Sequence, residues 1–139
     1  MGNLKGHNGK ERRRFIRFKV PGAKVTYFQK FFFFSSIVYS EEFCPVVDIS
    51  RGGIQFLSRR FIKSIKKILM QIYIPEEESY LNLTGRIKWS FFNPFGDYNY
   101  QVGIQFEPFA GRKRYNQSQA LDKLAFLETK FFPEDSSSR

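Results

Sequence analysis

Four arginines stand within six positions near the start of the chain: Arg12, Arg13, Arg14 and Arg17. Like charges at this spacing repel one another, so the cluster is not suited to building a core. Arginine binds phosphate through paired hydrogen bonds, recognises the O6/N7 edge of guanine and stacks on flat rings. The cluster therefore indicates an anionic ligand. Taken alone, however, it is more typical of a solvated basic tail or of a nucleic-acid-binding patch.

A second group of residues able to carry chemistry lies further along the chain: Asp48, Ser50, Gly52 and Gly53. Its structural interpretation is an Asx or Ser turn at the end of a strand. Its chemical interpretation starts from guanine, whose N1–H and N2–H donors are adjacent, so that one carboxylate can accept both. A carboxylate beside arginines would weaken binding of a generic polyanion, and it therefore favours a guanine-containing anionic ligand. The sequence alone leaves open whether the two groups meet.

Charge and composition are consistent with one basic domain. The chain has 139 residues, 42% of them hydrophobic, including 18 phenylalanines, and its net charge is +10. This is enough apolar material for one modest core and too much for a disordered chain. Residues 1–30 hold nine of the cations and a single acid, Glu11. The excess charge is therefore concentrated at the front, where an anionic partner would bind.

Several classes of protein are disfavoured by what the sequence contains. The single cysteine, Cys44, allows no intramolecular disulfide, which suits a reducing, cytoplasmic location. We expect Cys44 to be a small, buried apolar residue. No stretch approaches the roughly 20 apolar residues of a membrane span, and the basic first thirty residues do not resemble a signal peptide. One histidine, His7, and a solvated run of glutamates, residues 76–78, make a metal site or catalysis unexpected.

The chain order indicates a single domain over residues 11–132, preceded by a flexible lead-in at 1–10 and followed by a frayed tail at 133–139. Runs rich in β-branched and aromatic residues predict strands. They comprise a first strand at 24–34 that breaks at Ser35-Ser36 and continues through 37–39, then shorter strands at 44–49, 54–57 and 68–74.

Two further runs alternate between apolar and polar residues, which predicts half-buried antiparallel strands. Asn93-Pro94 and Gly96-Asp97 supply the turn between them. The alternation places Trp89 on the apolar face, so a core position is preferred for it. The apolar positions are Leu81, Leu83, Gly85, Ile87 and Trp89 in the first run, and Tyr98, Tyr100, Val102, Ile104 and Phe106 in the second.

The period changes near the end of the chain, where Ala120, Leu124, Leu127 and Phe131 form one helical stripe. Ser118 is the expected N-cap, and Pro133 is expected to end the helix. The predicted fold class is thus all-β with a C-terminal α-helix. About six strands favour a small six-stranded antiparallel β-barrel, which also removes open sheet edges.

The two motifs together resemble the paired signature of a known family. Arg12-Arg13-x-x-x-Arg17 followed by Asp48-x-Ser50-x-x-Gly53 is similar to the signature of PilZ domains, receptors for the bacterial second messenger cyclic di-GMP. The stretch at 102–106 also resembles the family's last barrel strand. Either motif alone is weak, whereas both in order on an all-β chain with a terminal helix are fairly specific.

The resemblance implies roles for individual residues. Arg13 and Arg17, with help from Arg12, would hold phosphates and guanine edges in a loop that folds over one face of the barrel. Asp48 and Ser50 would contact a guanine, and Gly53 would shape the turn. Weaker candidates for ligand contact are Arg14, Gly52 and Trp89.

The resemblance also implies partners. The ligand would be one cyclic di-GMP molecule or a stacked pair, with no other cofactor and no metal. Ordering of the arginine loop would pass the signal to a downstream effector protein. The chain departs from the family in its phenylalanine run at 31–34, which we expect to lie under the C-terminal helix, the alternative being an effector interface.

A nucleic-acid-binding barrel is the competing function, because a basic, aromatic-rich small barrel also describes oligonucleotide-binding folds. It is disfavoured because the arginines precede the first strand and the barrel aromatics fall on the apolar face. Exposed stacking rings are therefore not evident.

Overall fold

The computed structural model describes residues 15–31, 37–63, 67–110 and 115–132. These ranges contain six β-strands and one long α-helix, with a 3-10 helical turn (Pro75–Glu77) between the fourth and fifth strands. In chain order the elements are β1 (Lys24–Phe31), β2 (Ile37–Ile49), β3 (Gly53–Ser58), β4 (Ile68–Ile74), β5 (Ser79–Phe92), β6 (Tyr100–Phe106) and α1 (Ser118–Lys130).

The six strands close into a barrel in the order β1-β2-β3-β6-β5-β4. Every neighbouring pair is antiparallel, and β1 closes the ring by pairing with both β2 and β4. The predicted six-stranded antiparallel barrel with a C-terminal helix is confirmed. Closure pairs each strand with a neighbour on both sides over part of its length, which leaves few open edges.

The barrel has two ends of different character. One end, which we call the α1 end, holds the turn from β2 to β3, the turn from β4 to β5 and the helix. The other, the hairpin end, holds the connection from β3 to β4 and the hairpin between β5 and β6. The strand register defines this division, since Ser58 of β3 and Phe92 of β5 both pair with Tyr100 at the start of β6.

Alternate residues of the strands fill the barrel. In β4 the side chains of Ile68, Met70, Ile72 and Ile74 are buried, as the period of two in a half-buried strand requires. Further inward-pointing residues come from the other strands, including Val25, Cys44, Ile54, Phe56, Leu81, Leu83, Val102 and Ile104. Cys44 is buried as predicted, and burial raises the pKa of its thiol.

The helix covers the α1 end of the barrel with three buried side chains, Ala120, Leu124 and Leu127. It begins at Ser118 after Gln117, which occupies the N-cap position, so the prediction that Ser118 caps the helix is wrong by one residue. At its other end Lys130 binds Glu76 and Glu77 of the 3-10 turn. Over the described residues, no helix is both long and apolar enough to cross a membrane.

The prediction for the first strand is wrong in one respect. Phe31 pairs antiparallel with Ile37, so the chain reverses between them, and Ile37 begins β2 rather than continuing β1. β2 then runs without interruption to Ile49. Polar residues at 40–42 hid this continuity in the sequence, because pairing with β1, rather than apolar content, holds them in the sheet. Residues 32–36 lie outside the described ranges, as do residues 1–14 and 133–139.

A β-bulge in β5 changes which face its last residues occupy. Ile87 pairs with Ile104 while Trp89 pairs with Gly103, so two steps along β5 match one step along β6. An extra residue of this kind transfers all the following side chains to the opposite face. Trp89 is accordingly 41% exposed on the outside of the barrel, and the predicted core position for it is wrong.

Candidate functional site

The segment before β1 lies against the end of β2. The backbone N–H of Phe18 donates to the carbonyl of Ile49 at 2.8 Å, and the N–H of Ile49 donates back to Phe18 at 2.9 Å. Phe18 itself is buried in the core. This bridge positions Arg17 beside Asp48, so the two groups singled out in the sequence meet at this pair of opposite charges.

A second bulge positions Asp48. The pairing of β2 with β3 shifts between Val46 and Asp48, which brings Asp48 opposite Gln55 on the outer face while Ile49 remains inside. Gln55 is held in turn by a hydrogen bond of 2.9 Å, in which the Gln101 amide donates to its Oε1. The irregularity therefore points a carboxylate out of the barrel wall.

The electrostatic surroundings of Asp48 act in two directions. Partial burial raises the pKa of its carboxyl, while the positive charges of Arg17 and Lys19 partly offset that rise. Lys19 is held nearby by a hydrogen bond of 3.2 Å from its Nζ to the Val47 carbonyl. Within the described part of the chain no hydrogen bond satisfies the Asp48 carboxylate. It is therefore a half-desolvated acceptor that gains most from donors supplied by a ligand.

Ser50 organises the turn between β2 and β3. Its Oγ accepts hydrogen bonds from the backbone N–H groups of Gly52 at 3.1 Å and Gly53 at 3.2 Å. Its own N–H donates to the Gly53 carbonyl at 2.8 Å. The hydroxyl thus acts first as a local turn acceptor, and its proton is still available as a donor toward a ligand.

Glycine is needed at position 53 because of strand packing. A Cβ placed there would lie 2.2 Å from the carbonyl oxygen of Ile104, a contact no side chain can make. The backbone of Gly53 does not adopt positive φ, unlike Gly22 and Gly96. The requirement therefore comes from the close approach of β3 to β6, and it holds the turn against the barrel.

These residues line one cleft of about 660 Å³ on the outside of the barrel. The turn from β2 to β3 and Arg17 form one wall, and β5 with β6 form the other. Six of the residues singled out in the sequence are brought together here: Arg17, Asp48, Ser50, Gly52, Gly53 and Trp89. The volume falls in the range typical of small-molecule sites.

Trp89 and Gly103 form the far wall of the cleft. A Cβ at Gly103 would lie 2.3 Å from Cε2 of the indole, so the ring lies directly over this glycine. The other lining residue from β5 is Lys88, which is exposed. Sequence reasoning missed both Lys88 and Gly103. The available signal was a glycine at an outward position of an otherwise β-rich strand, which marks a close approach.

Phe15 is a further lining residue that the sequence did not single out as part of the site. Its ring packs on Gly52, where a Cβ would lie 2.7 Å from Cδ2, and the Arg51 guanidinium lies 5.6 Å from the ring centroid. Phe15 also lines a second, mainly apolar cavity of about 460 Å³ together with Phe106 and Leu121 of α1. Phe15, which directly follows the arginine cluster, therefore lies between the cleft and a cavity next to the helix.

Three of the predicted site residues, Arg12, Arg13 and Arg14, lie outside the described residues. Across the ranges that are described, no group of three or more histidine, cysteine, aspartate or glutamate side chains is placed to hold a metal ion.

The fold and the cleft define a class: small closed antiparallel barrels with a C-terminal helix and a charged outer cleft beside the segment that precedes the first strand. The family model described as PilZ domain matches residues 11–116, and the chain belongs to this family. Membership supports binding of cyclic di-GMP. None of the curated proteins compared with the chain matches it.

Two solved structures share the fold. The Bacillus subtilis Inhibitor of motility (MotI/DgrA) is 16% identical, with a TM-score of 0.53, and the match covers 86% of this chain and 52% of that one. K. pneumonia MrkH in its apo state is 12% identical, with a TM-score of 0.59, and the match covers 91% of this chain and 53% of that one. At these identities the likeness shows the fold alone. The match spans only about half of each of these structures.

Proposed function

We propose that the protein is a receptor that binds cyclic di-GMP in the outer cleft. The observation that carries this proposal is the meeting of Arg17 and Asp48 at one cleft. A cyclic guanine dinucleotide presents phosphates, which need a cation, and guanine edges with paired donors, which need a carboxylate. A cleft for a generic anion would gain nothing from Asp48.

Each lining residue has a role in this proposal. Arg17 makes charge-assisted hydrogen bonds to a phosphate or to the O6/N7 edge of a guanine. Asp48 accepts the N1–H and N2–H groups of a guanine. Trp89 offers an exposed indole face on which a purine stacks. Ser50 and Gly53 hold the turn that carries Asp48, and Lys88 adds a cation on the opposite wall.

Arg12, Arg13 and Arg14 are proposed to complete the phosphate contacts. They directly precede Phe15, which already lines the cleft. Their combined charge suits either a single dinucleotide or a stacked pair, whose phosphates would otherwise repel one another.

Signal transfer is proposed to run through the N-terminal segment. Binding neutralises the arginines and orders them over the cleft, and Phe15 then transmits this change to the cavity beneath α1, since it lines both spaces. The recipient is a downstream effector protein. We place the receptor in the cytoplasm, on the basis of its single reduced cysteine.

Calorimetric titration of cyclic di-GMP against the full chain and the Asp48→Asn variant tests the proposal. Losing the carboxylate should weaken binding by about 1–3 kcal/mol, because one bidentate base contact is lost. Asp97→Asn is the matched control, since it removes an exposed carboxylate at the hairpin end. Cyclic di-AMP, which cannot donate twice to Asp48, should bind the unmodified protein weakly and respond little to the substitution.

The same variants separate the receptor from a nucleic-acid binder. Removing a negative charge beside cations should leave unchanged or strengthen a contact that depends on phosphate neutralisation. A cooperatively folding Asp48→Asn protein that retains full affinity for cyclic di-GMP would refute the guanine-binding role of Asp48.

A further inference from the structure

The hairpin end of the barrel presents a cluster of uncovered aromatic rings. Phe91 is 62% exposed, Phe92 57%, Phe95 81% and Phe61 61%. Tyr100 connects two of them, with ring centroids 5.4 Å from Phe92 and 5.8 Å from Phe61, and Phe91 and Phe95 lie at the same end of the barrel. We call these five residues the aromatic tip. Apolar patches of this kind on a small domain mark an interaction surface.

β5 extends past its neighbour β4 at the hairpin end. β4 begins at Ile68, opposite Gly85, so residues 86–92 of β5 pair with β6 alone. Hydrogen bonds fix the apex: Asn93 N–H donates to the Asn99 carbonyl at 2.7 Å, and Phe95 N–H donates to Asn93 Oδ1 at 3.0 Å. The apex is therefore a built turn that holds Phe95 outward.

Charge is divided sharply at this end. Residues 90–96, which form the apex, contain no charged residue, whereas the connection at 59–67 contains five cations and no acid. Arg59 and Arg60 are exposed, and the Arg59 guanidinium lies 4.3 Å from the centroid of the Tyr98 ring. Arg59 follows Ser58, which pairs with Tyr100, so the exposed Arg59 and Arg60 lie at the same end of the barrel as the rings, and Phe61 follows them directly in the chain.

Acidic groups near this end are few and partly engaged. Glu41 accepts hydrogen bonds from the Arg59 N–H at 2.8 Å and from the Tyr27 hydroxyl at 3.0 Å. Asp97 lies beside the apex in the hairpin and is exposed. Neither carboxylate lies in the segment that carries the cations.

We propose that the aromatic tip docks the protein onto an anionic lipid surface. Phenylalanine rings of the uncharged stretch at 90–96 enter the boundary between headgroups and acyl chains, and the exposed Arg59 and Arg60 at the same end of the barrel meet the negative headgroups. Single-stranded nucleic acid fits less well, because the most exposed ring, Phe95, lies in a stretch at 90–96 that contains no cation to meet a phosphate backbone. A protein partner fits less well, since the apex offers no charged group for specific pairing.

Co-sedimentation of the full chain with lipid vesicles tests this inference. We expect binding to phosphatidylcholine vesicles that contain phosphatidylglycerol and little binding to phosphatidylcholine alone. Phe95→Ser should weaken binding about tenfold, because an apolar side chain leaves the lipid boundary. Phe126→Ser, which removes a comparably exposed phenylalanine from α1, is the matched control and should bind like the unmodified protein.

A second pair of variants tests the charges. Arg59→Gln should weaken binding to the anionic vesicles about fivefold. Arg86→Gln removes the same charge at the α1 end, where Arg86 pairs with Glu107 at 2.7 Å, and should have less effect. Equal losses for both arginines would indicate adsorption through net charge and would overturn the proposal.

The depth to which the aromatic tip enters the bilayer is measured by moving the single tryptophan to position 95. Phe95→Trp in a Trp89→Phe background should show blue-shifted emission and quenching by lipids brominated on their acyl chains. An unquenched tryptophan overturns the proposal. The proposal is also overturned if Phe95→Ser abolishes self-association, or abolishes binding to an oligonucleotide, while binding to the vesicles persists. Cooperative melting of each variant confirms that it is folded.

Discussion

The two ends of the barrel use the same residue types in opposite ways. At the α1 end, Phe18 is buried and Phe15 packs on Gly52, whereas at the hairpin end Phe91 and Phe95 are largely exposed. The charged residues of the two ends also differ in how far they are paired. Ion pairs at the α1 end include Arg51–Glu128, Arg86–Glu107 and Lys130 with Glu76 and Glu77, while the connection at 59–67 has cations without an acid.

This difference separates what the chain completes by itself from what it leaves for a partner. The α1 end closes with its own N-terminal segment and helix and keeps one cleft of ligand size. The hairpin end leaves several large aromatic side chains exposed among the described residues.

The largest effect expected from this comparison is on stability. Leu124→Ala should lower the free energy of unfolding by about 2–5 kcal/mol, because it opens a cavity under the helix. Phe95→Ala should change it by less than about 0.5 kcal/mol, since the ring is exposed. Urea unfolding measures both. A similar loss for the two variants would mean that the hairpin end is packed after all.

An intermediate effect is expected from two glycines on the cleft. Gly53→Ala should cost about 1–3 kcal/mol, because the new Cβ meets the backbone carbonyl of Ile104. Gly103→Ala should cost less, since the exposed indole of Trp89 can move away, but it should change the fluorescence of that tryptophan. A larger loss of stability for Gly103→Ala would show that Trp89 is fixed rather than adaptable.

The smallest effect concerns pH. Burial raises the pKa of Asp48 above the ordinary aspartate value of 3.8, so the carboxyl becomes protonated at a higher pH than usual. Affinity for cyclic di-GMP should therefore fall as pH decreases toward that raised pKa. The sign for folding is opposite: stability from this carboxyl is present at low pH and is lost as pH rises through the folded pKa. Titrations of ligand at several pH values measure the first effect. The Asp48→Asn variant should lack the pH dependence of affinity and that of stability. If its pH profile matches that of the unmodified protein, another group is responsible.

Much of the fold followed from local patterns. The alternation in β4 and β6 and the stripe of Ala120, Leu124 and Leu127 predicted the elements that form, because each pattern reports burial directly. The reversal between Phe31 and Ile37 was not predictable in the same way. Strand propensity carries no information about direction, which depends on pairing with distant strands.

The site was predictable in part for a similar reason. Arg17, Asp48 and Ser50 were identified by residue type and spacing, and the structure brings them together at one cleft. Trp89 was assigned to the wrong face because one extra residue in β5 reverses the alternation, and the sequence alone does not reveal a bulge. Phe15 was missed as a lining residue because its neighbours are arginines, which drew the interpretation toward charge.

Closure of the ring also has a consequence for the order in which the strands pair during folding. Four of its pairings join strands that follow one another in the chain, whereas β1 with β4 and β3 with β6 join residues roughly fifty positions apart. Closing a loop that is about ten times longer costs about 2 kcal/mol more in chain entropy. Each long-range seam therefore costs more chain entropy to close than any one of the hairpins does.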